Sequence, residues 1–308
     1  MRPRWLIAFL VAALPLAAMA QRTDFVSRTE LVLAGGGLSY IGDLNDQSAF
    51  GDLHGGGSIG LRSRIDSRWS VRGMVSYGSL SAEKDCNEHR NLSFKSDLFE
   101  GAMTLEFDFR PYGPGATESM WTPYLFGGLA VFHFNPKASY VLSDGTVQWV
   151  ELQPLRTEGQ GTSRYVKRRP YALMQLSMPF GLGVRMRLGK HVSLTAEYGF
   201  RKTWTDYLDD VSTTYVGHEL LAEEVSALSA QMADRSGEPN AEGIKRGDDS
   251  LDDWYSYFNL SVGVNLDILV GWMRSKRCDI KVRRNQFRQS DLHRGHFNHL
   301  CPLADSGR

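Results

Sequence analysis

The chain has 308 residues, 42% hydrophobic and 11% aromatic, with 35 Lys and Arg against 35 Asp and Glu. A formal charge of +0 excludes a globally basic nucleic-acid binder, and three cysteines (Cys86, Cys278, Cys301) exclude a disulfide-built scaffold. Beyond the N-terminal segment no apolar run reaches the roughly 20 residues of a spanning helix, so residence in a membrane would have to use strands.

The first twenty residues read as a signal peptide: Arg2 and Arg4, an apolar stretch from Trp5 to Leu16, then Ala18-Met19-Ala20 as a small-x-small cleavage site. Residues 21–271 are expected to form the folded domain and residues 272–308 a basic periplasmic tail.

Eight segments read as strands, most of them alternating clearly between apolar and polar residues, the signature of different surroundings on the two faces. The first, Arg28 to Ile41, is weakened by Gly35-Gly36-Gly37. The second, Gly55 to Ile65, sets Ile59, Leu61 and Ile65 against Arg62 and Arg64. The third sets Trp69, Val71, Val75 and Tyr77 against Ser70, Arg72 and Ser76. In the fourth, Phe99, Met103, Leu105, Phe107 and Phe109 oppose Glu100, Thr104, Glu106 and Asp108. The fifth, Pro123 to Phe134, is apolar on both faces and has no readable orientation. The sixth sets Phe180, Leu182, Val184, Met186 and Leu188 against Arg185 and Arg187; the seventh sets Val192, Leu194, Ala196, Tyr198 and Phe200 against Glu197 and Arg201. The eighth, Trp254 to Asp267, ends on the polar face at Asp267.

Connections alternate strictly in length. Short turns follow the second, fourth and sixth strands; long ones cover Gly42 to His54, Ser79 to Lys95, Asn135 to Leu176 and Lys202 to Asp253. All short turns then share one end, which predicts an all-β fold: an eight-stranded antiparallel transmembrane β-barrel with long extracellular loops and short periplasmic turns, in the outer membrane. A Greek-key sandwich gives no reason for that segregation.

Inside so narrow a barrel, side chains fill the lumen. Arg62, Arg64, Arg72, Arg185, Arg187 and Arg201 would pair with Glu100, Glu106, Asp108, Glu197 and Asp267, plugging it. An ion-selective constriction is the alternative. Trp69, Tyr77, Phe109, Tyr124, Trp204, Tyr207 and Trp254 suit interfacial girdles.

The fourth long loop carries a net charge of −9, and Leu221, Val225, Leu228 and Met232 predict a helix over 218–234. Asp206, Asp209 and Asp210 have the chemistry of a hard-cation site but no complete ligand loop. The tail from Arg274 carries +6 and includes His293, His296, His299 and Cys301 at a spacing too generic for a metal site; Cys278 and Cys301 could form a disulfide. No nucleophile, base and orienting group fall in a recognisable motif; His218 with Asp206 or Asp209 is the one pair to nominate. The chain is read as non-enzymatic, with no cofactor, metal or nucleic acid, and a small-molecule ligand is not expected.

Five segments carry a family resemblance: GGGLSYIGDLN (Gly35 to Asn45), FHFNP (Phe132 to Pro136), WVELQPLRTEGQG (Trp149 to Gly161), PFGLGVRMRL (Pro179 to Leu188) and TDYLDDVSTTYV (Thr205 to Val216). Together they resemble the outer-membrane barrel family that includes the PorG component of the type IX secretion system. The resemblance singles out the loop motif Thr205, Asp206, Tyr207, Asp209 and Asp210. It implies a structural or assembly component of protein secretion, held in the lipid bilayer and contacting periplasmic ring proteins. A small outer-membrane transporter or pore, or a barrel of unrelated role, is the alternative.

Overall fold

In the computed structural model, the described residues are 29–44, 52–85, 91–112, 119–142, 144–236 and 240–268. The segments assigned above to a signal peptide and a basic tail, and all three cysteines, lie outside them.

The compact unit Arg28–Val264 holds the fold. Its strands are β1 (Thr29–Ile41), β2 (His54–Arg64), β3 (Trp69–Asp85), β4 (Asn91–Asp108), β5 (Trp121–Val141), β6 (Val147–Glu151), β7 (Met174–Arg187), β8 (Val192–Thr203) and β9 (Trp254–Asn265). They run β4-β3-β2-β1-β9-β8-β7-β5, and β4 pairs with β5 to close an eight-stranded barrel. The pairings whose registers are described are all antiparallel. Strand β6 is an addition, a short return strand on the upper part of β5. In the second unit only Asn265–Ile268 are described; there Asp267 donates its N–H to Asn265 Oδ1.

The outer face explains why these strands need lipid. Leu33, Ile59, Leu61, Val75, Phe99, Met103, Leu105, Leu125, Leu129, Leu182, Val184 and Leu260 are all exposed, Leu129 by 66%. A belt of that extent far exceeds the apolar patches that a water-soluble monomer tolerates. Trp69, Phe107 and Phe109 cluster at the short-turn rim, with Trp69 and Phe107 centroids 4.9 Å apart. Two members of the expected girdle are elsewhere. Tyr124 is 1% exposed and points into the barrel, and Tyr207 is half-buried above it, stacked on Tyr171. Both aromatics have hydrogen-bond partners that lipid would not supply.

Strand packing requires bare backbone at several places, Gly36 and Gly128 among them. A Cβ on Gly36 would overlap the carbonyl oxygen of Phe258, and one on Gly128 that of Met103. Pro179, which has no N–H to give, sits where the β5–β7 ladder is interrupted between Gly127 and Ala130.

Several segments expected as loops are strand. β3 and β4 stay paired as far as Asp85 and Asn91, and β5 runs for 21 residues to Val141. Above the belt the alternation continues with small and polar residues outward and Leu80, Ala82, Leu92 and Phe94 inward and buried. The helix expected over 218–234 is two, α1 (His218–Glu224) and α2 (Ala227–Ala233). The break is chemical: Ser226 leaves the helical conformation and its hydroxyl accepts from the Ser229 N–H, capping α2.

Candidate functional site

The barrel interior has two storeys. The lower one, toward the short turns, is ionic. Glu106 on β4 sits at its centre, 2.8 Å from Arg62, 3.0 Å from Arg72 and 2.6 Å from Arg185. Around it Arg62 also meets Glu30 at 3.2 Å, Arg64 and Arg185 meet Asp108 at 3.3 and 3.2 Å, and Arg72 meets Glu197. Four arginines thus face four carboxylates, so the buried layer is neutral, which is the condition for burying ions at all. Tyr124 donates to Glu197 at 2.6 Å, while Tyr112 forms the floor, its ring 4.6 Å from the Arg64 guanidinium carbon.

Of the residues expected in this network, Glu100 and Arg201 form a separate pair at 3.5 Å one level higher, where Tyr255 also donates to Glu100. Arg187 is half-buried at the rim, its guanidinium 5.8 Å from the Tyr112 ring. Asp267 does not belong to a strand face, because β9 ends at Asn265. Glu30 was missed. It alternates with Leu31 and Leu33 just before the glycine run, and that short pattern was the available signal.

The upper storey is apolar: Leu38, Tyr40, Leu80, Phe94, Leu98, Phe132, Phe134 and Tyr255 form one buried cluster. Leu208 and Val211, at 0% and 1% exposure, drop into it from the loop after β8. Strand β5, which the sequence did not orient, contributes Tyr124, Phe126, Phe132 and Phe134 to the interior. Between the storeys lies a cavity of about 20 Å³, lined by Arg72, Glu100, Glu197, Arg201 and Asn259 among others. That is room for about one water.

Above the mouth the long loops lock together. Glu158 is fully buried and accepts from the Ser212 and Thr213 N–H groups, the Thr213 hydroxyl, Tyr207 and Arg246. Asp210 has a left-handed φ of 68° and accepts from Thr157 and from Tyr171 at 2.7 Å, with Arg246 3.6 Å away. Burial pushes its carboxyl up to about 6, against the pull of Arg246. Burial also opposes charge on Arg246, yet Glu158 and Asp210 hold its guanidinium above its ordinary value.

A second knot ties the loop to both ends of the sheet. The Tyr40 hydroxyl oxygen is 2.7 Å from Asp209 Oδ2 and 2.6 Å from Asp253 Oδ1. A hydroxyl has one proton, so the second contact requires a proton on one of the carboxyls. Burial raises both carboxyls, Asp253 further through the neighbouring charge of Asp209. Asp209 also accepts from the Val211 N–H, and Asp253 from that of Leu208. Both Asp206 carboxyl oxygens are buried, and desolvation pushes that group up to about 8. Thr205 accepts from the Asp253 N–H and, through its hydroxyl, from that of Tyr207.

The five loop-motif residues therefore share one crown, Thr205, Tyr207, Asp209 and Asp210 as structural hydrogen-bonding groups and Asp206 as a buried carboxyl beside them. His218 is exposed on α1, whereas the carboxyls of Asp206 and Asp209 are turned inward, and the nominated pair makes no catalytic arrangement. Among the described residues no group of His, Cys, Asp and Glu has the geometry of a metal site.

The family model of the outer membrane protein beta-barrel domain matches residues 6–218. The chain belongs to that family. Among solved structures it is similar to a Neisserial surface protein, NspA, at 13% identity, covering 77% of this chain and 96% of that one with a TM-score of 0.36. It is also similar to Ail, the attachment invasion locus protein of Yersinia pestis, at 9% identity with 77% and 97% covered and a TM-score of 0.36. OprG from Pseudomonas aeruginosa gives 13% identity, 78% and 97% covered, and a TM-score of 0.37. No curated protein matches the sequence. Membership places the barrel in the outer membrane, with its exposed belt against lipid.

Proposed function

We propose that this barrel is a closed, non-enzymatic scaffold of the outer membrane, serving as a structural or assembly component of protein secretion of the type IX kind. One observation carries the reading. Two of the five segments that resemble the PorG-containing family, Trp149 to Gly161 and Thr205 to Val216, interlock through Glu158, Thr157 and Asp210. What the resemblance singles out is thus a rigid lid rather than a reactive centre. Paired arginine and carboxylate side chains fill the lumen below, and aromatic side chains fill it above. A scaffold that transmits position between the cell surface and a periplasmic assembly benefits from such rigidity. Periplasmic ring proteins would dock on the short turns and on the basic segment 272–308.

The test is purification from the outer membrane in mild detergent, comparing the full chain with one ending at Gly271. Recovery of periplasmic ring proteins with the full chain alone supports docking by the basic segment; recovery with both assigns the turns. Recovery with neither removes the secretion role. The pore alternative is separated by planar-bilayer recording, where a plugged scaffold gives no steady conductance.

A further inference from the structure

One opening in the wall is unexplained by a scaffold. β4 and β5 pair from Asp108↔Tyr124 up to Lys95↔Lys137 and then part. Beyond that point, among the described residues, β4 is paired only with β3, through Asn91↔Asp85, and β5 only with β6, through Val141↔Val147. Two strand segments, 91–94 and 138–141, therefore turn unpaired edges toward each other. The space between them is a cleft of about 410 Å³, lined by Asn91 and Ser93 from one edge, Ser139 and Tyr140 from the other, and Gln231 and Arg235 from α2 and the residues after it.

Arg235 marks what the cleft lacks. Its two terminal nitrogens donate to the Ser93 hydroxyl at 3.0 Å and the Ser93 carbonyl at 2.8 Å, so the side chain caps an edge acceptor that a neighbouring strand would otherwise take. Its Nε–H is buried and has no hydrogen-bond partner among the described residues. A buried donor on a cation is costly to leave unmet. The acidic residue of the lining, Glu83, is exposed.

We propose that the cleft binds the C-terminal end of an extended polypeptide, which enters as an extra strand between β4 and β5 and sets its terminal carboxylate on Arg235. Backbone groups of both edges supply the ladder, and the guanidinium supplies the complementary charge, the two elements of strand addition and carboxylate capture. β4 and β5 are antiparallel, so the guest is antiparallel to one edge and parallel to the other. Side-chain selectivity is then low and the free C-terminus is the determinant. The inference does not depend on a secretion role, since it concerns only what fills the cleft.

The probe is the pentapeptide acetyl-Ser-Thr-Val-Thr-Val as free acid, with its C-terminal amide and an amide ending in Glu as comparisons. Full-length protein in detergent is followed by fluorescence anisotropy and by hydrogen exchange over 91–94 and 138–141. The free acid slows exchange in both segments, and the amide binds roughly tenfold more weakly, as expected for loss of a charge-assisted hydrogen bond. Arg235→Gln erases the difference between acid and amide. Gln231→Trp, at an exposed position, fills the cleft and abolishes protection while leaving the Arg235 contacts to Ser93 in place. No protection by millimolar free acid overturns the proposal, as does protection that survives Gln231→Trp. Equal affinity for the Glu-ending amide removes the C-terminal assignment. Protection that rises with protein concentration without peptide means that a second copy occupies the cleft, and the proposal fails.

Discussion

Glu158 and Arg246 meet at 3.1 Å with side chains 0% and 2% exposed, joining the loop before β7 to the loop before β9. Replacing Glu158 by Ala strands that guanidinium and four other donors. The expected cost to the crown is about 3–5 kcal/mol, the range for breaking a buried pair from one side. The barrel below keeps its own core, so Glu158→Ala should expose residues 205–213 to protease while heat-modified gel migration stays that of the native barrel. Loss of both together would mean that crown and barrel fold as one unit.

Glu106 is the corresponding residue of the lower storey. With three arginines on one carboxylate, Glu106→Ala leaves a buried positive excess, and urea unfolding from lipid vesicles should register a loss of about 3–5 kcal/mol or more. Charge neutralisation by a second change, Arg62→Met with Glu106→Ala, should recover part of it. Additive losses would show that the layer is not coupled.

Leu182 faces lipid at 59% exposure on β7. Leu182→Lys should cost about 2–4 kcal/mol if it lies near the bilayer midplane. The same measurement on Leu251, exposed in the crown region, should give almost no change. Equal effects at the two sites would contradict the belt.

The crown is also expected to respond to pH. Burial raises Asp206 to about 8 and Asp210 to about 6, and raises Asp209 and Asp253 as well. Unfolded carboxyls titrate near about 3.9, so between that value and the raised ones the folded crown holds more protons. Its stability is therefore fullest in acid and declines as pH rises through about 6 to 8. Hydrogen exchange across 205–213 should be slower at about pH 5.5 than at about pH 8.5 after correction for intrinsic rates. The opposite order would show that these carboxyls are ionised in the fold.

The spanning strands were legible because lipid and lumen impose opposite chemistry on successive side chains. Val192 to Arg201 states that contrast without interruption. Above the bilayer the contrast fades. Ser79, Ser81 and Glu83 are ordinary surface residues, and nothing in them distinguishes a tall hairpin from a loop. β5 was unreadable for a different reason: Phe126 and Phe132 are as apolar as Leu125 and Leu129, though the first pair lines the lumen and the second meets lipid. Glu30 was hidden by the glycines that follow it. In the crown the acidic motif was visible, but not its use, because partners such as Tyr40 and Arg246 lie far away in the sequence.

Tyr40 lies in the first strand of the barrel, and Asp253 immediately precedes the last, 213 positions later. The hydroxyl that bridges Asp209 and Asp253 cannot be in place on a chain that is still threading into the bilayer. The crown is consequently a certificate of completion, issued on the outer surface only when the two ends of the sheet have met. Pulse-labelled molecules should become resistant at residues 205–213 after their early strands are already protected by lipid, and resistance appearing first in the crown would show that it assembles without closure of the wall.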